Sequence, residues 1–291
     1  MFKFNAPITE IIRQRFSCRS YLREPIRADK RKQLQAFLEA LPPGPFGTRP
    51  RFDLAAATET DRKSLRGLGT YGFIKSSPAF IVGAMPSTEY GLEDFGYLME
   101  AIILYATGLD LGTCWLGGTF TKSRFGRKIH LTDDEIMPAI ASVGEFTSPG
   151  QWRKGQISQV AGSHRRLPWE ALFFIGRLGA PVSPEIAGDY ASVLEMVRLA
   201  PSASNKQPWR ILKHDAFWRF YLQRTPGYLQ GWLKRLLDIS DLQRVDMGIA
   251  MCHFELTANS LGLGGNWVVE DGVEAHQEET PEYLVSWRTN P

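Results

Sequence analysis

The sequence predicts an α+β fold made of two similar halves, and three observations support this. A helix-and-turn unit occurs twice, because residues 94–99 can be set beside residues 246–251 at an offset of 152. Helical and strand-like patterns alternate in both halves, and no Gly-x-Gly-x-x-Gly turn follows a predicted strand. The same offset also matches further residues without gaps: Leu104 with Leu256, Ala106 with Ala258, Leu109 with Leu261, Leu111 with Leu263, Gly112 with Gly264 and Trp115 with Trp267. A repeat of this kind decides the architecture before any individual element does.

The periodicity predicts the elements of the first half in chain order. Helices are expected at residues 7–14 and 28–41, and strands near residues 52–57 and 79–83. A long core helix at 95–108 and a strand at 140–145 follow. We expect the sheet in each half to be of antiparallel type.

The second half should repeat helix, strand and core helix. Residues 146–190 are rich in Gly, Pro, Ser and Arg, and we expect them to carry the crossing between the halves. A helix-rich insert is predicted at residues 228–237. The alternating segment 283–287 predicts an edge strand.

Composition excludes several classes of protein. The net charge of +3 over 291 residues is too small to indicate a surface that binds nucleic acid. No apolar run reaches membrane-spanning length, and the first residues have no signal-peptide core. Three scattered cysteines (Cys18, Cys114 and Cys252) without metal-ligand spacing indicate a reducing, cytoplasmic setting. We therefore expect a cytoplasmic protein without a metal, a membrane or a nucleic-acid partner.

Near the N-terminus, Arg15, Ser17 and Arg19 alternate along the chain. Side chains at i, i+2 and i+4 of an extended segment share one face. Two guanidinium groups flanking a hydroxyl suit a phosphate monoester, through charge-assisted and bidentate hydrogen bonds. A solvated basic face, or a look-alike of a phosphorylation site, is the alternative.

Residues 199–210, Leu-Ala-Pro-Ser-Ala-Ser-Asn-Lys-Gln-Pro-Trp-Arg, follow an amphipathic helix pattern and precede a strand-like pair. Their small hydroxyl and amide side chains and free backbone N–H groups could lie against a planar polar ring and hydrogen-bond its edge. An ordinary helix-to-strand loop is the alternative.

Together these motifs resemble the FMN-dependent nitroreductase superfamily. Arg-x-Ser-x-Arg follows an Ile-Ile helix, and Ala-Pro-Ser-x-x-Asn-x-Gln-Pro-Trp follows another helix. Residues 108–115 are similar to the family's Gly-Leu-Gly-x-x-Trp turn. The resemblance touches most of the chain and implies a nitroreductase-like fold. The order departs from the family, because the Ala-Pro-Ser stretch normally comes soon after the arginine segment and here lies in the far half.

Ordinary members are homodimers with two FMN sites at the subunit interface. The repeat and the displaced motif therefore imply an intrachain pseudodimer, the tandem-duplicated branch of the family. Residues 1–178 would form the half with the flavin phosphate side, and residues 179–291 the half with the ring side. The first half has Pro-Pro-Gly-Pro at residues 42–45 in place of Ala-Pro-Ser, and residues 179–184 of the second half offer no arginine pair. One composite site is expected.

The resemblance also implies further contacts. Arg166, two residues before a proline, would be another phosphate ligand, with His164 as a second basic residue; a basic linker face is the alternative. Backbone at residues 116–118 would approach the ring, and glycines permit that approach. The full predicted cofactor-binding set is Arg15, Phe16, Ser17, Arg19, Tyr71, Gly72, Leu116, Gly117, Gly118, His164, Arg166, Pro201, Ser202, Ala203, Ser204 and Asn205. No catalytic side chain is expected, and Arg19 would tune the ring electrostatically.

The activity implied is an FMN-dependent oxidoreductase. NADH or NADPH would give a hydride through flavin N5 to a nitroaromatic, a quinone or a similar small-molecule acceptor. Two alternatives stay open: a flavin-binding protein with little turnover, used for storage, sensing or scaffolding, and a flavin-consuming or dehalogenating relative. We expect a monomer that is itself a pseudodimer, with further oligomerisation undecided.

Overall fold

The computed structural model describes residues 2–56, 70, 72–118, 120–146, 165–228, 240–273 and 281–290. The first half contributes a sheet of five strands in the order β1-β2-β5-β3, with β4 paired to β2 and every pairing antiparallel. Its elements are α1 (Ile8–Gln14), α2 (Ala28–Glu39), β1 (Arg51–Ala56), β2 (Ala79–Pro86), α3 (Gly91–Gly108), β3 (Gly112–Leu116), α4 (Lys122–Lys128), β4 (Glu135–Ile136) and β5 (Ile140–Gly144).

The second half contributes a six-stranded sheet in the order β10-β11-β9-β8-β6-β7. All its pairings are antiparallel except β6 with β8. Its elements are β6 (Phe173–Ile175), β7 (Arg177–Pro181), α5 (Pro184–Ala187), α6 (Tyr190–Arg198), β8 (Trp209–His214), β9 (Phe217–Leu222), α7 (Leu242–Ser260), β10 (Gly265–Val268) and β11 (Glu282–Thr289). The mixed helix-and-sheet fold is the one the sequence predicts.

Three expectations concern the second half and the crossing that leads into it. The region 146–190 holds more than a crossing, because β6, β7 and α5 lie in it. The predicted boundary between residues 178 and 179 stays a prediction; it falls inside β7, and the second sheet already begins at Phe173. The predicted insert at 228–237 lies, apart from Tyr228, outside the described residues.

The prediction that residues 283–287 form an edge strand is wrong. Strand β11 pairs with β10 on one side and β9 on the other, so it lies inside the sheet. Its polar Ser286 is fully buried and donates a hydrogen bond to Glu270. The polar position in the alternating pattern is therefore satisfied inside the protein rather than exposed to solvent.

Helices α3 and α7 pack against each other at the centre of one large core that draws residues from both halves. A Cβ placed on Gly96 would lie 2.1 Å from the carbonyl oxygen of Val245, and one on Gly248 would lie 2.0 Å from that of Glu93. The two contacts are related by the repeat offset, since 93 pairs with 245 and 96 with 248. The missing side chains at both glycines let the two helices approach closely.

None of the helices in the described ranges combines the length and the apolar character that a membrane crossing requires.

Candidate active site at the junction of the two halves

A cavity of about 280 Å³ lies where the two halves meet. The first half supplies the segment after α1, the end of β3 and the loop beyond it. The second half supplies the loop before β8 and one face of α7. The lining residues are Arg15, Ser17, Arg19, Phe73, Cys114, Trp115, Leu116, Gly117, Gly118, Ala139, Arg166, Pro201, Ser202, Ala203, Ser204, Asn205, Leu242, Val245, Asp246 and Ile249.

The arginine segment is held against β3. Helix α1 ends at Gln14, and the backbone of Arg15, which follows it, is extended at φ −58° and ψ 132°. Ser17 then pairs with Thr113 in a parallel bridge, and the Cys18 amide donates to the Thr113 carbonyl at 2.7 Å. Because the segment is extended, alternate residues Arg15, Ser17 and Arg19 reach the cavity while Cys18 is buried.

The cations at this end of the cavity are strongly desolvated. The Arg15 side chain is 6% exposed, and its Nε lacks a hydrogen-bond partner among the described residues. Burial lowers the pKa of Arg15. Burial, followed by repulsion from Arg15 and Arg198, lowers the pKa of Arg166 to about 10. A buried guanidinium group (Arg15) and a half-buried one (Arg166) that repel each other favour an anion between them.

A buried carboxylate underlies Arg15 and joins the halves. Glu100 of α3 accepts the indole N–H of Trp115 at 2.7 Å and lies 3.9 Å from Arg15 Nε. Its other contact is Nε2 of His253, on α7, at 2.9 Å. Nδ1 of His253 lies 2.9 Å from the carbonyl oxygen of Met196, which can only accept, so Nδ1 carries a proton. The network fixes Arg15 and Trp115, both on the cavity wall.

The second half contributes the loop of residues 201–208 to the cavity wall, and this loop contains a short 3₁₀ turn, Ala203–Asn205. The Ala203 amide donates to Asp246 Oδ1 of α7 at 2.9 Å, and the Gln207 amide donates to Ser202 Oγ at 2.8 Å. Ser204, Asn205 and Gln207 have φ of 50°, 55° and 49°. Three non-glycine residues in left-handed backbone so close together store strain, which is typical of functional loops.

Asp246 has a repeat partner, Asp94, that does the same work in the first half. Asp94 accepts the amides of Phe46 and Thr48 at 2.9 and 2.8 Å. Both of its oxygens are thus used on residues 41–50, a segment whose sequence can be aligned with residues 199–208. Asp246 uses one oxygen, while its Oδ2 is buried without a hydrogen-bond partner among the described residues. Burial raises the pKa of Asp246 well above the usual value.

Arg166 braces this loop from the chain that crosses between the halves. Its guanidinium donates to Asn205 Oδ1 at 3.2 Å and to the Leu199 carbonyl at 2.9 Å. The Asn205 amide group donates in turn to the Arg165 carbonyl at 2.7 Å. The predicted phosphate ligand and the predicted ring-side loop are therefore in direct contact.

Most of the predicted site residues line this one cavity, although they come from distant parts of the chain. Phe16 and Gly72 do not line it; the Phe16 ring packs edge-on against Phe146 at 5.0 Å. Tyr71 and His164 lie outside the described residues. Sequence reasoning missed Asp246, Ile249 and their neighbours on α7, although the match of Asp94 with Asp246 in the repeat was a usable signal.

The family model described as "Putative TM nitroreductase" matches residues 7–258. The chain belongs to this nitroreductase family. No curated protein matches the sequence significantly. The chain is similar to the structure of a "putative nitroreductase" from Thermotoga maritima, with 19% sequence identity and a TM-score of 0.61. The match covers 100% of this chain and 97% of the Thermotoga chain. That likeness shows the fold.

Two further structures match half of this nitroreductase-family chain. The first is a nitroreductase with bound FMN from Bacteroides fragilis, at 20% identity and a TM-score of 0.39. The match covers 49% of this chain and 90% of the Bacteroides chain. An FMN-dependent nitroreductase from Clostridium difficile is 18% identical, covers 50% and 96%, and has a TM-score of 0.38.

Proposed function

We propose that this chain is an FMN-dependent oxidoreductase whose single flavin site is built from both halves. The observation that carries the proposal is the convergence of Arg15, Ser17, Arg19 and Arg166 with the loop 201–205 on one cavity. Nitroreductase family membership supports a flavin as the ligand. The proposal includes an internal duplication, since the reciprocal Gly96 and Gly248 contacts and the Asp94 and Asp246 pair follow the repeat offset.

The residues present fit FMN. A phosphate monoester would compensate the guanidinium groups of Arg15 and Arg166, which repel each other on the cavity wall. Arg15, Ser17, Arg19 and Arg166 would hold that phosphate side. Pro201, Ser202, Ala203, Ser204 and Asn205, together with Leu116, Gly117 and Gly118, would surround the ring system.

Glycine at position 117 also suits a planar ligand. A Cβ there would lie 2.4 Å from Cδ1 of Leu242, which lines the same cavity. The absent side chain leaves main-chain groups open to close approach. Arg19 would place a positive charge near the ring and stabilise negative charge on it. No side chain is assigned as an acid or a base.

Bound FMN would supply hydride transfer, from NADH or NADPH at flavin N5 to a nitroaromatic, a quinone or a similar acceptor. The protein's own part is to bind, orient and charge-balance the cofactor, and to leave one ring face open to two successive substrates.

The test is anaerobic reduction of the FMN-loaded protein. NADH or NADPH should bleach the flavin absorbance, and a nitroaromatic or quinone should restore it within one turnover. If the protein holds FMN and neither nicotinamide bleaches it, the chain is a flavin-binding protein without this activity.

A further inference from the structure

A second cavity, of about 900 Å³, is lined in part by residues that the repeat relates to residues lining the first. Trp267 corresponds to Trp115, and Tyr97 to Ile249, at the offset of 152. In the separate alignment of residues 41–50 with residues 199–208, whose offset is 158, Pro43 and Pro45 correspond to positions 201 and 203. The second cavity therefore occupies the place where an ordinary symmetric dimer would have its other site.

Its walls are aromatic rather than basic. Six rings line it, those of Phe2, Phe37, Tyr97, Tyr105, Trp267 and Trp287. Phe37 and Tyr105 stack at a centroid distance of 4.0 Å, and Trp267 lies 5.1 Å from Trp287. No arginine is among the described residues that line it, so the guanidinium groups of the first cavity have no counterpart there.

A carboxylate lies among these rings. Glu255 of α7 accepts the Trp267 indole N–H at 2.7 Å, and Tyr97 and Asn259 also hydrogen-bond to it. In the first cavity, Trp115 donates to Glu100 in the same way, but His253 and Arg15 accompany that carboxylate. The side-chain partners of Glu255 are neutral. Burial raises the pKa of Glu255, while its three side-chain hydrogen bonds and the positive charge of the N-terminus act to lower it. The cationic side chain among the described lining residues is the exposed Lys3.

We propose that the second cavity binds a small organic cation carrying an alkylated ammonium group. Aromatic faces attract such cations through their quadrupoles, and a carboxylate at the edge of the aromatic set supplies the counter-charge. The duplicated site has thus changed its charge preference, with arginines around one cavity and a carboxylate with rings around the other. This inference does not depend on the flavin.

The test compares choline with its neutral isostere 3,3-dimethylbutan-1-ol, using calorimetry on the full chain. Choline should bind at least tenfold more tightly. Glu255→Gln should weaken choline binding at least tenfold, whereas Glu39→Gln, which removes one exposed negative charge on α2, should leave it unchanged. Lys3→Gln should strengthen it, because a like charge leaves the wall.

Equal affinity for choline and the alcohol would overturn the proposal, as would a folded Glu255→Gln protein with unchanged choline affinity. Should that variant fail to fold, Tyr105→Leu replaces it, since the ring is half-buried. It should weaken choline severalfold and leave the alcohol unaffected; equal loss of both ligands would again contradict the proposal. FMN content, measured on the same samples, reports the first cavity separately.

Discussion

At the scale of single residues, phosphate binding in the proposed site depends on Arg15. Its guanidinium is nearly buried and lies 3.9 Å from the carboxylate of Glu100. It also repels Arg166, whose pKa is lowered as well. The spacing of Arg15, Ser17 and Arg19 was enough to predict a shared face. The support beneath it was not predictable, because Glu100 and His253 lie 153 residues apart and meet only through the packing of α3 on α7.

Replacing Arg15 should separate phosphate recognition from ring recognition. Arg15→Ala should weaken FMN binding by about 1.5–3 kcal/mol, the scale of a hydrogen bond to a charged group. Arg15→Lys should restore part of this, because the planar fork is lost. Riboflavin, which lacks the phosphate, serves as the control in fluorescence titrations and should bind both proteins alike. Unchanged FMN affinity in folded Arg15→Ala protein would show that Arg15 belongs to a basic face of no functional importance.

At the scale of elements, the close approach of α3 and α7 rests on glycine. Gly96→Ala or Gly248→Ala would drive a Cβ into a carbonyl of the facing helix. The backbone of a packed helix cannot move aside as a flexible side chain can. Each substitution should therefore lower the free energy of unfolding by about 3 kcal/mol or more. Urea unfolding would measure the loss.

Gly126→Ala in α4 is the matched control for these substitutions. The new Cβ would lie 3.4 Å from Leu131, an ordinary contact. Helix propensity should then dominate and stabilise the protein by about 0.5–1 kcal/mol. If Gly96→Ala were stabilising as well, the close helix contact would be wrong.

The same helix pair carries a pH dependence. Burial, offset in part by Arg244, raises the pKa of Glu93 to about 7. The folded state therefore holds a proton that the unfolded state releases near the ordinary glutamate pKa of about 4.3. Stability should fall as pH rises from about 4.5 to 7, by on the order of 3 kcal/mol from this group. Buried Asp94 and Asp246, whose pKa values are also raised, act in the same direction.

Urea unfolding at several pH values would check this. Glu93→Gln should flatten the decline between pH 5 and 7, while Glu39→Gln, on the exposed face of α2, should not. A decline of equal slope in Glu93→Gln and the parent protein would exclude Glu93 as its source.

At the scale of the whole molecule, the repeat was the most informative signal. It predicted that α3 and α7 are equivalent, and the reciprocal contacts at Gly96 and Gly248 follow the same offset. The neighbours of each strand in the sheet were harder to predict from the sequence. Alternation of polar and apolar residues shows that one face of a strand is buried and the other is not, but it does not show which strands lie beside it. The interior position of β11 and the parallel pairing of β6 with β8 depend on partners far along the chain. The change of the second cavity to an aromatic wall likewise emerges only when both halves are assembled.

The stoichiometry of bound flavin tests the central claim most directly. The protein would be saturated with FMN, freed of excess, and denatured by heat, and the released flavin absorbance compared with the protein concentration. A single site built from the arginine segment of one half and the Pro201–Asn205 loop of the other predicts one FMN per chain. Two FMN per chain would mean that each half keeps a complete site, and would contradict the composite site.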